Sequence, residues 1–134
     1  IQVPLNMFNR RFIQKKILNK LSKYKIEIHA RSIFLQGLLL VNPETLKKKF
    51  SPWKKLFLRW HNYCNKYQIN KLQAASNFIF KKKEIKKIVV GFNSINEFNE
   101  FLSLNAKKYK NIPNLEVKQQ KNIDKLINPY NWKP

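Results

Sequence analysis

The sequence predicts an α/β chain built on a parallel sheet, and three observations carry that prediction. Short β-branched or alternating runs take turns with segments whose apolar residues recur at helical spacing. The loops that lead from strand-like runs into helices hold the residues with special backbone chemistry, as βα units do. The last such corner, Ile88-Val89-Val90-Gly91 followed by Ser94, Glu97 and then Phe98, Phe101 and Leu102, reads as strand, turn and capped amphipathic helix. Only three strand-like runs are present, and on pattern both a doubly wound sheet and a (β/α)₈ barrel are open, the barrel needing about 250 residues.

In chain order, the run from Ile1 to Asn6 is a short strand with Pro4 at its end. Ile13, Ile17, Leu18, Leu21 and Tyr24 then form one apolar helical face against lysines and Asn19. Ile26 to Ala30 alternates as a second strand, in which His29 reads as a packed strand histidine, and it passes into a long apolar loop ending near Pro43. Ser51-Pro52 is the signature of a helix start, with Leu56, Phe57, Trp60, Tyr63, Cys64 and Tyr67 turned inward. Asn70 opens another helix, with Leu72, Ala75, Phe78 and Ile79 inward. Ile88 to Val90 is read as a third, buried strand with Lys86 and Lys87 before it. Gly91 to Glu97 then leaves free N–H groups at the positive end of a helix dipole, which suits a phosphate. A single glycine makes this neither a dinucleotide fingerprint nor a P-loop. From Asn111 to Pro134 the chain reads as an extended tail, with a helical piece near Ile123 to Ile127 and anchors at Tyr130 and Trp132.

Bulk properties narrow the classes. With 134 residues and 43% hydrophobic content, one modest core and one domain are expected, and Ile1 already lies inside a strand-like run, which leads to the expectation of a piece of a longer chain. Cys64 is the only cysteine, which excludes an internal disulfide, and His29 and His61 offer no metal cluster. A reducing, cytoplasmic setting is expected. The longest apolar stretch, broken by Gln36, falls far short of the roughly 20 residues a membrane span needs. The net charge of +21 would ordinarily suggest a polyanion partner. Lysines are instead spread over the whole length, and arginine occurs only as Arg10, Arg11, Arg31 and Arg59. Lys, Asn, Ile, Phe and Tyr make up more than half of the chain, as an AT-rich coding bias would produce. The sequence therefore argues against a nucleic-acid partner.

The run from Ile26 to Leu39 resembles the seventh barrel strand and following loop of the aldo/keto reductases. Gln2 to Asn6 is similar to their sixth strand, Leu72 to Ala75 to their penultimate barrel helix, and Val89 to Ser94 to their eighth strand and phosphate corner. Leu126 to Pro129, with Trp132, resembles the closing segment of some bacterial members. The resemblance implies the C-terminal portion, about strands six to eight with their helices, of a (β/α)₈ TIM barrel. It makes residues 1–134 a partial NADP-dependent oxidoreductase domain, with 111–134 a C-terminal extension.

It further implies that Gln2 hydrogen-bonds a nicotinamide carboxamide and that Arg31 lies against the nicotinamide ring. Ser32, Phe34, Gln36 and Gly37 would follow the pyrophosphate, while Gly91, Phe92, Asn93 and Glu97 would hold the adenosine phosphate. Arg31 stands where many members place an aromatic ring. Glu97 stands where NADP-dependent members have Arg or Gln, and a carboxylate suits ribose hydroxyls better than a 2′-phosphate. The family's catalytic Asp, Tyr, Lys and His have no match here, so no catalytic residue is named. The implied function is the cofactor-binding part of an oxidoreductase that moves hydride between NADP or NAD and a small carbonyl or alcohol substrate. A basic nucleic-acid-binding module, or a non-catalytic remnant packed on a partner chain, are the alternatives.

Overall fold

The computed structural model describes residues 1–104, 113, 115–117 and 122–132. Three strands, β1 (Gln2–Pro4), β2 (Ile28–Arg31) and β3 (Ile85–Val89), form one sheet in the order β1-β2-β3. Both pairings are parallel, as the alternation of strands and helices predicts. The register aligns Val3 with Ala30 and Ile88, and Gln2 with His29 and Lys87. Alternation along the strands then buries Val3, Ile28 and Ala30 and leaves Gln2 and Arg31 exposed.

Between β1 and β2 runs helix α1 (Lys15–Lys23); between β2 and β3 run α2 (Lys54–Lys66) and α3 (Lys71–Phe80). Leu56, Phe57, Trp60 and Cys64 of α2 meet Ala74, Ala75, Phe78 and Ile79 of α3 in one core. Each such large side chain contributes about 1.5–3 kcal/mol on burial. From Gln73 to Ile79 every residue of α3 is buried, which marks it as an interior helix. The apolar loop after β2 joins this core through Ile33, Leu35, Leu38 and Leu39, and the Trp60 indole N–H donates to the Leu39 carbonyl at 2.8 Å. Helix α4 (Ile95–Leu102) follows β3, and α5 (Ile123–Ile127) inserts Leu126 and Ile127 into the same core.

Several sequence expectations need correction. The partial TIM barrel is not what forms: the three strands make an open sheet that ends at β1 and β3, and no strand closes it among the described residues. Closure requires the curvature and stagger of a full ring of strands, which three strands do not supply. The third strand begins three residues earlier than expected, at Ile85, so Lys86 and Lys87 lie within it. It is also an edge strand rather than a buried one, with Val89 43% exposed, because burial of an apolar run depends on neighbours the run itself does not specify.

Ser51-Pro52 does not cap α2. A 3-10 turn from Lys48 to Trp53 runs directly into the helix, so helical geometry begins before the serine. Helix α1 buries none of its residues, and Tyr24, expected on its inner face, is 64% exposed beyond its end. In the expected tail, 122–132 is ordered on the core, with Trp132 edge-on to Phe50; residues 111–112, 114, 118–121 and 133–134 lie outside the described residues.

Candidate functional site

Parallel sheets place ligands at the carboxyl ends of their strands, where the strand-to-helix loops converge. A cleft of about 900 Å³ opens there, between the loop after β2, the start of α3 and the corner after β3. That volume lies in the range of about 300–1,000 Å³ typical of small-molecule sites. Ser32, Phe34, Gln36 and Gly37 line one side, and Gly91, Phe92, Asn93 and Glu97 line another. The structure thus brings eight of the ten expected residues to one cleft.

The other two do not line it. Gln2 sits at the amino end of β1 beside His29, two residues below the carboxyl end at Pro4, or roughly 7 Å along the strand. Arg31 ends β2, exposed, and among the described residues its guanidinium approaches only the Ser32 hydroxyl, at 3.3 Å.

The loop after β2 is held in a demanding conformation. Ser32, Leu35 and Gln36 have positive φ angles of 56°, 49° and 54°, and Gly37 has 82°. For residues with a Cβ this region costs about 1 kcal/mol or more each, so the surroundings must enforce it. Asn6, fully buried just past β1, supplies part of that enforcement: its amide donates to the Ser32 carbonyl at 3.0 Å. The Asn6 side-chain oxygen meanwhile accepts from the backbone N–H groups of Phe8 and Asn9. Within the loop, Leu35, Leu38 and Leu39 donate to the carbonyls of Ser32, Leu35 and Phe34. The backbone N–H groups of Phe34, Gln36 and Gly37 have no acceptor among the described residues, which leaves donors available beside the cleft.

At the opposite wall the capping box forms with one change. The Ser94 hydroxyl accepts from Glu97 N–H at 3.2 Å, and the Glu97 carboxylate turns back to accept from Asn93 N–H at 2.8 Å, one residue before the usual box position. Glu97 is therefore a helix cap, and it occupies one of the N–H groups that an anion would use. Glu100 also lines the cleft, so among the described residues two carboxylates face it against one cation, Lys71. The Lys71 ammonium donates to the Val41 carbonyl at 2.7 Å, and burial lowers its pKa while the nearby Cys64 raises it. Gly91 does not have a positive φ, and a Cβ there would meet nothing within 4 Å, so the fold itself does not require glycine.

Sequence reasoning missed Asn6, Asn70, Lys71 and Glu100. Asn6 carried a usable signal, because an asparagine that closes a strand-like run is a turn former whose side chain bonds backbone ahead of it. Glu100 had none, since its place on the cleft follows from where α4 docks. Phe34, Phe80 and Phe92 surround Phe101 in edge-on or tilted contacts, and these fix the helix beside the cleft.

The chain matches no family model and no curated protein significantly. Among the described residues no group of three His, Cys, Asp or Glu side chains could hold a metal, and no helix is long and apolar enough to cross a membrane. Taken on chemistry alone, the lining fits the adenosine and pyrophosphate half of a dinucleotide: unfilled backbone donors, two aromatic rings in Phe34 and Phe92, amides from Asn70, Asn93 and Gln36, and carboxylates suited to hydroxyls. It does not supply the nicotinamide end, because Gln2 and Arg31 lie outside it.

Proposed function

We propose that this chain is the adenosine-binding part of an NAD-linked oxidoreductase related in sequence pattern to the aldo/keto reductases, acting on a small carbonyl or alcohol substrate. The observation that supports the reading most is the convergence of eight residues, named from two separate stretches of sequence, on one cleft at the carboxyl ends of β2 and β3. In this reading the loop from Ser32 to Gly37 donates backbone N–H groups to the pyrophosphate, and Phe34 or Phe92 stacks on the base. Glu97 and Glu100 accept from ribose hydroxyls and repel a terminal phosphate. The nicotinamide, when bound, carries the hydride between cofactor and substrate. No residue of this chain is assigned a part in that transfer, and the work of the residues named is binding, orientation and choice of cofactor. A cytoplasmic setting belongs to the same reading.

The test is a calorimetric titration of NAD, NADP and AMP at an ionic strength of about 0.15 M, where loose attraction between surface charges is screened beyond about 8 Å. Saturable binding of NAD and AMP, with NADP weaker, is expected. Equal, salt-sensitive and non-saturating uptake of all three would refute the proposal.

A further inference from the structure

The sheet has two ends, and they are not equivalent. At the β1 end, His29 N–H donates to the Ile1 carbonyl and Leu5 N–H to the Arg31 carbonyl, so it is Gln2 and Pro4 whose backbone groups turn to the outer rim. Proline has no N–H to offer, and the strand is three residues long, so this rim is closed to pairing. The β3 end is different. Five residues long and without proline, β3 has a partner strand on one side only among the described residues. Its rim is also exposed, with Lys86 and Lys87 in solvent and Val89 43% exposed.

We propose that the outer edge of β3 is a docking site for an extended segment of another protein that alternates acidic and apolar residues and adds beside it as a fourth strand. Charge selects that occupant. A second copy would bring β3 against β3, setting Lys86 and Lys87 against their equivalents in a molecule already at +21, and like charges facing across strands are unfavourable. The same lysines attract carboxylates, with Lys83 just before the strand adding a third cation. Glu27, which approaches the Lys87 ammonium at 3.7 Å, and Glu84 are the acidic groups in this region. Between the lysines and the end of the strand, Ile88 and Val89 give an incoming apolar side chain something to cover. The backbone rim supplies affinity and the flanking side chains supply selectivity, as in other strand-addition complexes. This edge meets the cleft only at Val89, which ends the strand and also lines the cleft, while Lys86 and Lys87 lie outside it among the described residues.

The test uses the whole chain and a blocked peptide of about eight residues alternating glutamate and valine. A second peptide of the same sequence, N-methylated at alternate positions, keeps every charge and loses one row of ladder donors. Fluorescence anisotropy should show binding of the first peptide and at least about tenfold weaker binding of the second, the effect of one to two lost hydrogen bonds. Replacing Lys86→Glu and Lys87→Glu together should remove binding of the first peptide. Equal affinity for the two peptides would reduce the interaction to net charge and overturn the proposal. So would the absence of binding, or undiminished binding by the doubly substituted chain.

Discussion

Asn6→Ala removes three hydrogen bonds at once: the donor to the Ser32 carbonyl and the acceptor for the Phe8 and Asn9 N–H groups. Because Phe8 and Asn9 are buried with Asn6, their two N–H groups would have no water to turn to, and a loss of roughly 2–4 kcal/mol of stability is expected by denaturant unfolding. The loop from Ser32 to Gly37 should also exchange its amides faster than the rest of the core, and an Asn6→Ala chain with unchanged loop protection would show that Ser32 keeps its left-handed backbone without help. Glu97 gives a second prediction at this scale. A unit charge about 4 Å from a phosphate, at an effective dielectric near 20, is worth roughly 4 kcal/mol before screening. If the cleft binds an adenosine cofactor, Glu97→Arg should raise the ratio of NADP to NAD affinity by tenfold or more, and Glu97→Gln, which keeps an acceptor for Asn93 N–H, should move it only part of the way. An unchanged ratio in Glu97→Arg would mean that the residue serves the helix alone.

Helix α2 shows at the next scale how burial reaches chemistry. Its inner face places Cys64 in the core at 3% exposure, and burial pushes the thiol up to about 12 from 9.0. Burial likewise raises the half-covered Tyr63 hydroxyl to about 12, from 10.0. Both folded-state values lie above those of the unfolded chain, so the stability they contribute is fully present below about pH 9 and is lost as pH rises toward 12. Thermal unfolding should therefore show a fall in stability across that alkaline range that is shallower in Cys64→Ala, and Cys64 in the native chain should alkylate only as fast as the core opens.

The elements differ in how openly the sequence declared them. Caps are local, and both Asn70, which accepts from Gln73 N–H at 2.7 Å, and Ser94 were legible because a side chain three residues ahead of its donor is all the geometry requires. Ser51-Pro52 misled because the preceding 3-10 turn already had helical geometry. The third strand misled because Ile88, Val89 and Val90 have the same pattern on an edge as in a sheet interior, and only the missing neighbour distinguishes the two.

For the whole molecule, three parallel strands and the helices between them leave an open sheet, with the loops after β2 and β3 meeting at one end. The parallel order was legible because amphipathic helices between strands force crossover connections. Closure into a barrel was not, since it depends on strands that must be present in space rather than on any residue of these three. The cleft depends on the surviving part of that prediction, the convergence of loops at the carboxyl ends. The most direct test of the account is therefore an amide-resolved NMR titration of the chain with NAD at about 0.15 M salt. Saturable shifts confined to 32–37, 70–71 and 91–100 are predicted, with Gln2 silent. Shifts spread over the exposed lysines, or centred on the amino ends of the strands, would contradict it.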